Sequence, residues 1–128
     1  MRARQARRVL RADAILDVAL GTFLLLGAWD GLYAVVGLPA PEPAIFAEIG
    51  GVLLFGFAYL LWVAPDYAVL ARRIAEAAAI ANGLAAALIA LWLASRPDGV
   101  QLLGWVLMAA LTATLAVLAW LEARISAL

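Results

Sequence analysis

Four stretches of about twenty mostly apolar residues divide this chain, and they restrict its possible folds more than any other feature. They run from about Leu10 to Ala28, Ala44 to Ala64, Ile74 to Ala94 and Val100 to Leu121. A helix of about 20 apolar residues is long enough to cross a bilayer. The chain is 68% hydrophobic and 14% charged, whereas a soluble domain is about half apolar and a quarter charged. A globule of 13.5 kDa has too much surface for its volume to bury such an excess. The sequence therefore predicts one all-α domain over residues 1–128, an integral membrane antiparallel four-helix bundle with the lipid bilayer as its surroundings.

Punctuation and charge give the order and direction of the spans. Pro39, Pro41 and Pro43 break the chain before the second span, and Pro43 suits a first helical position. Pro65-Asp66 ends that span, and the segment Ser95 to Gly99 reads as a turn. Loops this short make neighbouring helices antiparallel. Arg2, Arg4, Arg7, Arg8 and Arg11 precede the first span, Arg72 and Arg73 follow the second, and Arg124 follows the fourth. Arg96 stands alone on the other side, so eight of nine arginines share one face. The positive-inside rule makes that face cytoplasmic. Both termini are expected inside, in a bacterial inner membrane. Trp62 and Trp120 then fall at the inner interface, Trp29 and Trp92 at the outer one. Asp13 and Asp17 interrupt the apolar region that a signal peptide would need, so the first span is expected to remain.

Several chemistries lack their residues. The chain has no cysteine, histidine or lysine, which removes thiol nucleophiles, thiolate or imidazole metal sites, an imidazole base, a Schiff base and a P-loop. Its formal charge is zero, and beyond the N-terminal arm it has no basic stripe for nucleic acid. No enzyme constellation stands out. No cofactor is specified, and cofactors stay unknown at this level.

The polar residues inside the spans carry the functional signal. A charged side chain in hydrocarbon costs a few kcal/mol on insertion scales and usually faces the bundle. Glu48 lies early in the second span, and Gly51, Val52, Phe55, Tyr59 and Trp62 lie within about 60° of it at 100° per residue. Gly51 would open space beside the carboxyl, with Phe55 and Tyr59 walling a cavity below. Asp30, Gln101 and Arg96 share its level, and Gln101, Gly104, Met108 and Thr112 form one stripe of the fourth span. Two readings stand. Glu48 either locks helices through Gln101 or Arg96, or heads an outward-opening ligand pocket of carboxyl end and apolar body.

On the inner side, Asp13 and Asp17 are four apart, as are Arg72 and Glu76. A structural polar cluster of Asp13, Asp17, Arg72, Arg73 and Glu76 is expected there, with a site for a proton or cation as the sharper alternative. The third span repeats small residues at Ala75, Ala79, Gly83 and Ala87, which suit close helix approach in lipid. Asn82 is expected to bond a neighbouring helix, for instance at Thr112.

Four short spans, a proline loop and "AEIGGVLLFGF" (Ala47 to Phe57) resemble the DoxX-like small membrane proteins, loosely over Ala14 to Leu93. That resemblance implies quinone-linked or respiratory accessory roles. "WDGLYAVVGLP" and "FAEIGG" are also similar to the EXPERA group of sterol isomerases and sigma-2 receptors. There, acids at the positions of Asp30 and Glu48 would line a pocket for amphipathic amines or sterols. The group's pocket contains histidine, which this chain lacks.

The leading expectation is a membrane protein that binds a hydrophobic or amphipathic small molecule. Glu48 and Asp30 would hold the polar end, with Gly51, Phe55, Tyr59, Gln101 and Met108 around the rest. The alternatives are a structural or accessory subunit of a larger membrane complex and an oligomeric ion or proton pathway; homo-oligomers are compatible with each.

Overall fold

The computed structural model describes residues 3–128, with the side chains of residues 28–30 outside the description. It is helical throughout, with no strand among the described residues. Helix α1 spans Ala3–Asp30, the short α2 spans Leu32–Val35, α3 spans Ile45–Val63, α4 spans Ala68–Ala94 and α5 spans Leu102–Ser126. A 3₁₀ turn, Ala64–Asp66, joins α3 to α4. Three helical segments are long and apolar enough to cross a membrane: Ile45–Asp66, Ala68–Ala94 and Leu102–Ser126. The sequence expectation added a fourth, within α1, whose N-terminal turns carry Arg4, Arg7, Arg8 and Arg11 and whose middle carries Asp13 and Asp17.

Two details differ from expectation. The third helix starts at Ala68, six residues before its apolar window, because Pro65 and Asp66 complete a 3₁₀ turn and Tyr67 is extended, releasing the chain into a new helix. The second starts at Ile45, two residues beyond Pro43.

The long helices pair as two hairpins, α1 with α3 and α4 with α5, with far sparser contact between the hairpins. The buried positions explain the pairing. Along α5 they are Gly104, Leu115, Leu118, Glu122 and Ile125, and along α4 Ala75, Ala78, Asn82 and Ala86. Along α1 they are Leu10, Asp13, Ala14, Asp17, Gly21 and Gly27, and along α3 Gly51, Ala58 and Leu61. Most neighbouring buried positions lie three or four residues apart, a spacing that keeps one stripe of each helix facing a partner.

Close approach inside the first hairpin rests on glycine. A Cβ at Gly21 would sit 2.9 Å from the Gly51 carbonyl oxygen, and one at Gly51 2.7 Å from that of Gly21. At the opposite end from the chain termini the hairpins are tied through the α2–α3 loop. The Gln101 backbone N–H donates to the Gly37 carbonyl at 2.8 Å, and a Cβ at Gly104 would run into the same Gly37 backbone. At the terminal end the hairpins share a small core of Leu10, Ala14, Ala58, Leu61, Ala75, Ala78 and Ile125.

The surface is apolar where the seam ends. Leu53, Leu84, Leu88, Leu91, Leu102 and Val117 are all more than half exposed. The accessible surface is 7954 Å², against about 6,500 Å² for a compact soluble protein of this mass by the usual scaling.

Candidate functional site

The most polar part of the interior lies where the two hairpins meet. Asp13 and Glu122 are 0% exposed, Asp17 3% and Asn82 6%. The Asn82 Nδ2 donates to Asp13 Oδ2 at 3.0 Å and to Glu122 Oε2 at 2.9 Å. An amide NH₂ has two hydrogens, so both are used. Three helices thereby meet at one side chain: α1 through Asp13, α4 through Asn82 and α5 through Glu122. Asp17, one turn along α1, is close enough to both carboxyls to interact electrostatically. Asp13 Oδ1, Asp17 Oδ2 and Glu122 Oε1 are buried without a hydrogen-bond partner.

The expected partners of this cluster are elsewhere. Among the described residues, no ion pair joins Asp13 or Asp17 to Arg72 or Arg73. Arg73 pairs with Glu76 at 3.2 Å on the surface, and Arg7 with Asp66 at 2.7 Å. The reason is depth. Asp13 meets Asn82, nine residues beyond Arg73 on α4, or about 14 Å at 1.5 Å per residue. Arg72 is exposed beside Arg73 and Glu76, in a shallow polar groove with Ser126. Arg11, two residues from Asp13, lies on another face of α1 and stacks over Trp62 at 4.8 Å. Arg124 stacks similarly over Trp120 at 3.9 Å.

Asn82 does bond neighbouring helices, but not at Thr112, whose hydroxyl donates to the Met108 carbonyl of its own helix at 2.8 Å. Glu122 is the residue that sequence reasoning passed over, because it lies just past the fourth apolar window. Its signal was its register: Leu115, Leu118, Glu122 and Ile125 continue one seam.

The residues expected to form one pocket around Glu48 separate into three open grooves. Glu48 lies with Leu25, Leu26, Ile45, Ile49, Val52 and Leu53 on a groove of about 650 Å³. Phe55 and Tyr59 line a different one, about 360 Å³, with Ala14, Ile15, Val18 and Trp62. Met108 belongs to a third, about 390 Å³, with Tyr33, Leu38, Pro39, Leu88 and Trp92. The cause is again register. The α3 seam passes through Gly51, Ala58 and Leu61, so Glu48, Val52, Phe55 and Tyr59 lie on its flank. Gly51 packs against α1 instead of opening space for a ligand. Gln101 is exposed and uses its backbone N–H to hold the Gly37 loop. The expectation for the Asp30 carboxyl lies outside the described residues.

Tyr33 is a smaller surprise. It is buried against Gly27 and Phe23, its ring 4.7 Å from the Phe23 ring, and its hydroxyl has no partner. Burial pushes its phenol above the ordinary value. Among the described residues, no group of three acids is placed to hold a metal ion. No family model, curated protein or solved structure matches this chain.

Proposed function

We propose that the chain is a four-helix integral membrane protein that binds a small amphipathic molecule with a cationic head in the groove headed by Glu48. One observation carries the binding reading: this groove, of about 650 Å³, sets one carboxyl among six apolar side chains. An amine on an apolar tail matches that arrangement, because charge-assisted hydrogen bonds are about twice as strong as neutral ones. The groove opens on the outside of the first hairpin, so the tail enters sideways from lipid.

The membrane reading is supported by the three helices apolar and long enough to cross. It extends to α1 because Asp13 and Asp17 turn inward, while Ile15, Val18 and Leu26 face out. Packing along α3 carries α1 across the same thickness. The arginine asymmetry then sets both termini in the cytoplasm of a bacterial cell.

The binding test uses a fluorescent long-chain alkylammonium and the alcohol of the same length, titrated into the protein in detergent. Glu48→Gln is expected to weaken the amine about tenfold or more, the equivalent of 1.4 kcal/mol or more, and to leave the alcohol unchanged. Val52→Trp, which fills the groove, is expected to weaken both. Equal amine affinity in wild type and Glu48→Gln would refute the proposal.

A further inference from the structure

We infer that Asp13, Asp17 and Glu122, gathered around Asn82, form a proton-binding site inside the bundle, separate from the Glu48 groove. The three acids come from both hairpins and are essentially inaccessible. Asn82 satisfies one oxygen each of Asp13 and Glu122, and Asp17 adds a buried carboxyl oxygen with no partner. The cluster is thus short of hydrogen-bond donors, and a proton is itself a donor.

The surrounding charges do not supply the balance. On α1, Arg11 is turned to Trp62 and Arg7 is held by Asp66. On α4, Arg73 is held by Glu76 at the surface. From α3 the shared core receives Ala58 and Leu61 with Phe57 against it, and from α4 Ala75 and Ala78 with Ala71 and Ile74, all apolar. On α5, Arg124 stacks on Trp120. Like charges held together away from water repel strongly, so three buried carboxylates need compensation. No three of the described acids are placed to hold a metal ion, and none of the three grooves is lined by these acids. A proton needs no cavity. Asp13 and Glu122 are both bound by the one Asn82 amide, so a proton on either relieves the repulsion between them. Because these two carboxyls belong to different hairpins that touch sparsely elsewhere, releasing the proton sets two negative charges against each other across the hairpins. Proton binding is therefore coupled to how tightly the hairpins close.

Infrared titration of the carboxylic C=O stretch, on the whole protein in lipid vesicles, tests this. The wild type is expected to show a protonated-carboxyl band that disappears as the pH is raised. Glu122→Gln and Asp13→Asn, which keep an acceptor oxygen for Asn82, should lose that band, and Glu48→Gln should retain it. Absence of a titrating band in the wild type overturns the site without recourse to any variant. So does a band that persists in both cluster variants, or one removed by sodium or potassium at constant pH. Loss of the band in Glu48→Gln alone would place the proton in the groove and likewise overturn it.

Discussion

Asn82 places its amide between two buried carboxyls from different helices, and its removal should be felt. Asn82→Leu leaves the Asp13 and Glu122 oxygens without a donor. A buried polar group that loses its partner costs about 1–3 kcal/mol, and denaturant or thermal unfolding in detergent should show a loss of that size. Unchanged stability would mean that the hydrogen bonds contribute nothing. Asn82→Asp should be worse, since it adds a fourth acid. The acids of α1 were legible from sequence as a pair on one face; their partners were not. Basic residues before an apolar window suggest a helix that begins at the membrane edge, yet α1 already begins at Ala3. Asp13 is therefore ten residues, or about 15 Å, along a helix, past the reach of Arg72 and Arg73. Thr112 offered a plausible partner by depth, but a threonine hydroxyl in a helix can satisfy itself on the carbonyl four residues back.

Between helices, the seams decide which residues meet. Gly21→Leu or Gly51→Leu places a side chain against the facing backbone carbonyl. Overpacking a close contact commonly costs about 1–3 kcal/mol, and the α1–α3 hairpin should loosen accordingly, read as a lower unfolding temperature in detergent. Gly56→Leu is the control, because nothing lies within 4 Å of a Cβ there. An equal loss at Gly56 would show that helix propensity, not the crossing, sets the effect. Three of the four helix windows were legible to within a few residues at their C-terminal ends, because apolar length and proline mark them. The seams were harder to read. Stepping by four along α4 selects Ala75, Ala79, Gly83 and Ala87, but the buried face, in steps of three, four and four, holds Ala75, Ala78, Asn82 and Ala86. Over three turns that drift moves a residue from the interface to its flank. It is also why Phe55, Tyr59 and Met108 did not join Glu48, and why Glu122 lay on the buried face unnoticed.

Taken whole, the molecule is two hairpins tied at both ends, polar at the contact and apolar on the outside. Its exposed leucines and valines and its large surface are what lipid would cover. Charge runs the same way, with seven of the eight described arginines at the end that holds the termini. The central claim is that α1 crosses the membrane with the other three, so that its acids lie inside the bundle. Because the chain has no cysteine, single substitutions report sidedness without background. Gln5→Cys and Ser126→Cys should react with a membrane-impermeant maleimide only from the cytoplasmic side. Ala40→Cys and Asp98→Cys should react only from the outside. Labelling of Gln5→Cys and Ala40→Cys from the same side would contradict the account, since α1 would then not span.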